Sequence, residues 1–512
     1  MVGKEATFVT GSTMKHILTM SGAGSVGLLA LFAVDLLDML FISMLGQVEL
    51  AAAVGFAGTL LFFSTSVSIG SSIAMGALVS KALGAKQHEK AVRLASNTLV
   101  VSFFITLIVT LFMYAYLDEL LSAVGAKGVA LERAKAYLQI ILLSSPFLAL
   151  AMASGAGLRA SGDAKRSMWA TLSGGLVNAI LDPIFIFGFD WNVEGAAAAS
   201  VVARFTMLYV ALAPLISVHK LVKWPNWLDV GKDLRTILTI ALPAVITNTA
   251  TPIGNAVVTA NIAQFGEDYV AGYAVIGRVI PVAFAVIFAL SGAVGPIIGQ
   301  NYGAERVDRV RDTLRNSLLF VTVYCLLVSG ILYLIQDFII SSFSLTGDAQ
   351  TMVVAFCTVV SLSFVFNGAL FVANTSFNNL GKPIYSTALN LGKATLGTIP
   401  FVYLGAEWFG ALGVLYGQAV GTVAFGILGL GVLQHHVQSM FASQKSKPEV
   451  IPDEIEPVVT TVNMASFYNC DPVMMEEVTA QKPICHIAKT TPIRNSNLPE
   501  GIRLERDADP KE

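Results

Sequence analysis

The sequence predicts an all-α integral membrane protein, with about twelve transmembrane helices in two parallel-related six-helix bundles around a central cavity. Three observations lead there. Of 512 residues, 55% are hydrophobic and 13% charged, roughly half the charge of a soluble globular chain. Apolar runs near or above the roughly 20 residues needed to cross a hydrocarbon core recur along the chain, and only helices or closed barrels satisfy their backbone hydrogen bonds in lipid. Finally, the chain repeats itself. The pattern of "ALGAKQHEKAVR" returns as "NYGAERVDRVR", and "RASGDAKRSMWA" as "NNLGKPIYSTAL". Gly46 thus answers to Gly266, Gly84-Ala85 to Gly303-Ala304 and Gly162 to Gly381, a shift of about 219 residues. That shift spans six helices, an even number, so the two copies share an orientation and are related by an axis along the membrane normal, as in transporters with a binding site between two rocking bundles.

The first six spans are expected at about 17–45, 48–80, 95–116, 135–158, 167–189 and 195–218, and the second six at about 236–264, 269–299, 314–336, 353–377, 385–405 and 411–434. Connections after even-numbered helices are basic, with Lys81, Lys86, Lys90 and Arg93, then Arg159, Lys165 and Arg166, and later Arg306, Arg309, Arg311 and Arg315. Those after odd-numbered helices are mostly acidic. Since Lys and Arg accumulate on the cytoplasmic side, both termini are expected in the cytoplasm of a cell whose inner membrane the chain crosses many times. The first apolar segment is too long for a signal peptide and reads as a permanent helix. Four units follow: an N-terminal bundle over 1–218, a cytoplasmic linker over 219–235, a C-terminal bundle over 236–436 and a polar tail over 437–512. Trp224 and Trp227 of the linker read as interfacial anchors. Cys325 and Cys357 fall in helices and Cys470 and Cys485 in the tail, so no disulfide framework is implied. The tail stretch "MASFYNCDPVMMEEV" is a candidate short partner-binding helix.

An ionisable side chain at the bilayer centre costs about 2.5–3.5 kcal/mol on insertion scales, so each one is a functional candidate. The acids are Asp35, Asp38 and Asp182, all in the first copy; the second has Asn255 and Val258 where Asp35 and Asp38 would fall. Asp35 and Asp38 are one helical turn apart on one face. Two carboxylates that close in low dielectric cannot easily both ionise, so the pair would titrate as a unit and could load and discharge a proton. Either could instead be a neutral packing group. In "GGLVNAILDPIFIFG", Asn178 and Asp182 stand at i and i+4, and Pro183 denies a hydrogen bond to the carbonyl of Ala179. The resulting kink gathers an amide, a carboxylate and a freed carbonyl, ligands suited to a proton network, a sodium ion or a cationic group. Arg204, Arg278 and Lys393 lie in apolar runs; Arg204 and Lys393 either line the cavity or snorkel to an interface. Asn255, Arg278 and Lys393 are the candidates for a substrate cavity. Gly70, Gly76, Gly292 and Gly295 are read as packing contacts, and His16, His435 and His436 as solvated. No P-loop, dinucleotide fingerprint, zinc spacing or nucleophile elbow is present, which removes ATP-driven transport and enzymatic catalysis as readings.

Several ordered motifs make the chain similar to the multidrug and toxic compound extrusion (MATE) family over about residues 14–436. They are "DMLFISMLGQVELAAAVG", "GLRASGDAKRS", "NAILDPIFIFG" with "WNVEGAAAAS", and "IIGQNYGAERVDRV". The resemblance implies that Asp38 is the aspartate of the family's first helix, with Asp35 an addition one turn earlier. In the DinF-like bacterial branch it further implies a protonation network of Asp38, Asn178, Asp182 and Tyr137, with Ser200 where a threonine is common. A NorM-like member would carry a glutamate in the seventh helix; Thr251 stands near that position here, which favours the DinF-like arrangement.

The function expected is secondary antiport by alternating access: export of an organic, cationic or amphipathic compound in exchange for protons or sodium ions, with no cofactor. The coupling site would be Asp38, Asp182, Asn178, Asp35, Tyr137 and Ser200, with a sodium ion, if one binds, held by Asp38, Asn178 and Asp182. Partners are a small-molecule substrate and the lipid bilayer, with no nucleic acid, and a monomer is expected. Two alternatives stand beside this. A lipid-linked sugar flippase would favour a cavity rich in arginine, whereas the mid-membrane charges here are mainly acidic. A non-transporting membrane subunit acting through its tail would be indifferent to loss of Asp38.

Overall fold

The computed structural model describes residues 6–44 and 48–445. The Gly46 turn and the tail from 446 onward, with Cys470, Cys485 and the candidate partner helix, lie outside the described residues. Sixteen α-helices follow one another: α1 (Thr13–Met44), α2 (Val48–Gly84), α3 (His88–Ala115), α4 (Leu117–Ala123), α5 (Gly128–Ile141), α6 (Ser145–Ala160), α7 (Ala164–Pro183), α8 (Asn192–Ser217), α9 (Trp227–Ala263), α10 (Glu267–Ala283), α11 (Ala285–Gly303), α12 (Val307–Ser342), α13 (Gly347–Thr358), α14 (Phe364–Asn379), α15 (Pro383–Ala394) and α16 (Ile399–Lys445). Eleven stretches are long and apolar enough to cross a membrane, and the last, Pro383–Ala442, has 60 residues. It holds two crossings, because α16 leaves helical geometry at Gly410 (φ 61°, ψ −143°). The described residues are therefore all-helical with twelve crossings among them, as the sequence predicts, and α16 runs on to Lys445, past the expected end near 434.

Glycines build the hairpin at Gly410. A Cβ on Gly413 would lie 1.8 Å from the Gly405 carbonyl oxygen, one on Gly417 2.1 Å from that of Phe401, and one on Gly421 1.4 Å from that of Gly397. The two limbs of α16 thus touch backbone to backbone, a spacing only glycine permits.

The repeat is visible in the backbone. Left-handed residues recur 219 positions apart: Lys86 and Glu305 (both φ 58°), Gly128 and Gly347 (φ 55° and 57°), Gly162 and Gly381 (φ 86° and 77°), Gly125 and Ser344 (φ 99° and 51°). The turn after α2, where Gln87 N–H donates to Ala82 (2.9 Å), recurs after α11 as Arg306 N–H to Asn301 (2.9 Å). α5 and α6 are separated by a 3-10 turn at Leu142–Ser144, and α13 and α14 by one at Val360–Ser363. The copies also cross each other in a paired way. A Cβ on Gly84 would lie 2.0 Å from the Gln300 carbonyl oxygen, and one on Gly303 2.1 Å from that of Lys81. At one place where the copies differ, proline accounts for it: α2 is one unbroken helix of 37 residues, whereas its counterpart breaks at Phe284 behind Pro281.

Candidate functional site

Small residues bring the acidic helices together. Gly175 of α7 leaves room for Val34 of α1, whose Cγ2 would lie 3.3 Å from a Cβ there, and Gly27 of α1 lies equally close against Thr171. One turn beyond Val34 stands Asp38, and one turn beyond Gly174 and Gly175 stands Asn178. Asn178 Nδ2 donates to Asp38 Oδ1 (3.0 Å) and to Asp182 Oδ2 (2.6 Å). Asp182 is fully buried and its Oδ1 has no hydrogen-bond partner among the described residues. The Asp38 and Asp182 carboxyl groups are near enough to share a hydrogen bond when one of them carries a proton. The close carboxyl pair is therefore Asp38 with Asp182, from two helices, while Asp35 lies one turn away with its side chain exposed. Beyond Pro183 the backbone widens into a π-helical turn, Ile184–Gly188; Gly195 at the start of α8 packs on it, leaving 2.8 Å between a Cβ and the Phe185 backbone.

Tyr137 on α5 is buried and lies within electrostatic range of Arg204, Asp38, Asp182 and Asp35. Arg204 is held inward: its Nη1 donates to the Ile141 carbonyl (2.9 Å) and to Ser144 Oγ (2.9 Å) at the break between α5 and α6. Ser200 on α8 is half-buried and forms no hydrogen bond with Asn178 or either aspartate.

In the second copy, Lys393 Nζ donates to Asn367 Oδ1 (2.7 Å), and among the described residues no carboxylate lies within ion-pair distance of it. Asn255 and Arg278 are exposed, and no hydrogen bond joins either of them to Lys393. Two grooves of about 400 and 340 Å³ lie away from all these groups, one along Arg166, Trp169 and Tyr209, the other along Val359, Phe366 and Val420.

Three sequence expectations change in detail. Gly70 and Gly295 do make close contacts, but a Cβ on Gly76 would meet nothing within 4 Å and one on Gly292 only the Arg159 side chain at 3.6 Å. His16 is tied to the Thr10 carbonyl (2.8 Å) and His436 lies beside the Phe377 and Tyr385 rings, so neither is simply solvated. Arg159 reads as a loop cation because it is one residue from a helix end; it turns inward, donating to Ser167 Oγ (2.8 Å) and reaching Gly292 of the other copy. Only the facing glycine and serine hint at that direction in the sequence.

Outside the spans, Asp163 caps α7, accepting from Arg166 N–H (3.1 Å), from the Arg166 guanidinium and from His219 Nε2 (2.9 Å). Burial pushes its carboxyl up, but the hydrogen bonds from His219 and Arg166 outweigh burial and hold it below the usual carboxylate range.

The MatE family model matches two stretches, residues 25–184 and 243–404. Each holds most of one copy of the repeat, and the first contains Asp38, Tyr137, Asn178 and Asp182. An FAD transporter of Shewanella oneidensis is 26% identical over 418 residues, covering 80% of this chain and 92% of that protein. The multidrug export protein MepA of Staphylococcus aureus is 25% identical over 417 residues, covering 80% and 91%. A crystal structure of a mutant of VcmN, a MATE transporter of Vibrio cholerae, superposes with a TM-score of 0.80 at 25% identity, covering 83% of this chain and 97% of that one.

Proposed function

The chain belongs to the MatE family, and from that premise we propose that it is a secondary antiporter exporting organic, cationic or amphipathic compounds in exchange for protons or sodium ions. The observation that carries the coupling role is the shared amide of Asn178 between two carboxyl groups, one of them fully buried with an oxygen left unpaired. A proton added to Asp38 or Asp182 bridges the pair and removes a buried charge; its loss restores repulsion that only Asn178 offsets. α1 carries one carboxyl and α7 the other, so loading changes how α1 packs on α7. Each charge moved across 100 mV contributes about 2.3 kcal/mol, enough for roughly a fiftyfold solute gradient. Tyr137, with Arg204 behind it, bounds the same polar region, and Asp35 is an accessible entry group one turn away. The oxygens of Asp38, Asn178 and Asp182 also suit a sodium ion.

The two copies would act as bundles over 1–218 and 236–436, joined by the 219–235 linker, with the basic loops facing the cytoplasm. Asn255, Arg278 and Lys393 would line the substrate path in the second bundle. Compounds of the kinds named for the relatives, drugs and FAD, form the first substrate panel.

The test is solute efflux into inside-out vesicles under separately imposed proton and sodium gradients. Asp38→Asn and Asp182→Asn are expected to reduce gradient-driven transport at least about tenfold, the effect of removing an essential ionisable group, with Asp35→Asn reducing it less. The gradient that drives wild-type transport identifies the ion. If both variants transport as wild type does, the carboxylates are packing groups and the coupling assignment is wrong.

A further inference from the structure

At the end of the molecule that carries the basic loops, the segment before α1 crosses from one copy of the repeat to the other. Phe8 is 1% exposed and edge-on to His16. Its N–H donates to Gln300 Oε1 (2.8 Å), and its carbonyl accepts from Asn301 Nδ2 (3.2 Å) and an Arg309 Nη2 (2.9 Å). Arg309 also reaches the Thr10 carbonyl (3.2 Å), Arg306 the Val9 carbonyl (2.9 Å), and Asn316 the Thr13 hydroxyl (2.7 Å). Gln300 and Asn301 lie in the last turn of α11, Arg306 immediately precedes α12, and Arg309 and Asn316 lie on α12, so every one of these partners belongs to the second copy. On its other side the segment leans on the first copy: Thr7 Oγ1 donates to the Ser161 carbonyl (3.3 Å), and a Cβ on Gly162 would lie 2.8 Å from Thr7 Oγ1. Gln300 Nε2 completes the bridge by donating to the Ala160 carbonyl at the end of α6 (2.8 Å).

We propose that residues 6–12 are a releasable strap that holds this end of the molecule shut and sets how readily it opens. The inference rests on the alternating-access reading above. α1 is covalently continuous with the first copy, yet the residues leading into it are bound to α11 and α12 of the second. Separating Gly84 from Gln300 and Gly303 from Lys81 therefore pulls on the strap as well. Its bonds are mostly to main-chain carbonyls, which water can replace on release, and Phe8 is the one large apolar group that must leave its pocket. The strap is thus a local element whose release free energy adds to that of parting the two glycine crossings, and weakening it shifts the population towards the open state.

The experiment uses full-length protein with Cys470 and Cys485 replaced by serine and Ser80→Cys as reporter. Ser80 is fully buried on α2 beside Asn379 and Gly299. A membrane-impermeant maleimide is applied from the basic-loop side. Arg309→Gln, Gln300→Leu and Phe8→Ala are expected to raise the labelling rate about fivefold or more, the shift that losing one net hydrogen bond or its equivalent gives. Phe8→Leu should stay near the reference rate. A second arm joins Val9→Cys to Arg306→Cys with a short bifunctional maleimide, which should stop transport that the uncross-linked pair supports. Unchanged labelling in all three weakened variants, or full transport by the cross-linked protein, would falsify the strap. Labelling that responds in a protein moving no solute would keep the strap and overturn the antiport reading instead.

Discussion

Asn178 is one amide serving two carboxyl groups. Its NH₂ has two hydrogens, and both are spent, one on Asp38 and one on Asp182. Asn178→Ala should therefore cost at least about tenfold in gradient-driven transport, since it leaves two carboxyl groups facing each other without a donor. Ser200→Ala, which removes a hydroxyl outside that pair, should stay within about twofold; initial-rate efflux measurements separate the two. Half of this arrangement is legible in the sequence, because Asn178 and Asp182 stand at helical spacing with Pro183 after them. The other half comes from the family resemblance and not from spacing, since the contact of Asp38 with Asn178 joins residues 140 apart through the packing of Val34 on Gly175. A different single residue sets a pH dependence. Asp163, held below its ordinary value of 3.8, stabilises the fold above that value, and the contribution is lost as pH falls through the depressed one. Melting curves of wild type and Asp163→Asn should accordingly differ at neutral pH and converge in strong acid. Curves that stay parallel down to the acid limit would remove Asp163 from the account.

At the scale of elements, the periodicity of apolar runs locates the spans well because lipid leaves the chain no alternative to helix. It does not locate breaks. The interruption at Phe284 and the 3-10 turns at Leu142–Ser144 and Val360–Ser363 sit inside apolar sequence; Pro281 signals the first and Pro146, at the start of α6, the second, while nothing comparable marks the third. The α16 hairpin is a mixed case: Gly410 is readable as a turn, but the backbone contact of Gly397 with Gly421 depends on two helices meeting at one height. Gly421→Leu should lower the melting temperature of the purified protein strongly, because overpacking a tight contact costs about 1–3 kcal/mol or more. Gly76→Ala, where a methyl meets nothing within 4 Å, should hold or raise it, since Ala is the better helix former. A melting temperature for Gly421→Leu that is unchanged or raised would remove the contact, because helix propensity alone favours Leu and Ala over Gly.

Over the whole molecule, the chemistry is divided. The Asp38–Asp182 carboxyl pair belongs to the first copy, and Lys393, which donates to the amide oxygen of Asn367, belongs to the second. If Lys393 meets substrate, Lys393→Met should raise the half-saturating concentration for anionic or zwitterionic solutes and leave purely cationic ones nearly unaffected; the same shift for both would assign it to packing. Composition announces none of this partition, because the net charge of −2 averages it away. Nor does it announce the strap, whose seven residues show neither an apolar run nor a period. A segment that short acquires structure only from what it binds.

The matched turns at Lys86 and Glu305, Gly128 and Gly347, and Gly162 and Gly381 have a consequence for how the two copies diverged. A single residue added to or lost from a helix rotates everything beyond it by about 100° and moves it 1.5 Å along the axis. Such a change would swing one inward face out towards the lipid and drag its corner off the membrane surface. Between the first and last of these corners the count of residues is the same in both copies, so replacement in place, with no net insertion or deletion, accounts for Arg159 standing opposite Asn378. The bilayer acts as a ruler: it freezes the length of the text while leaving the letters free.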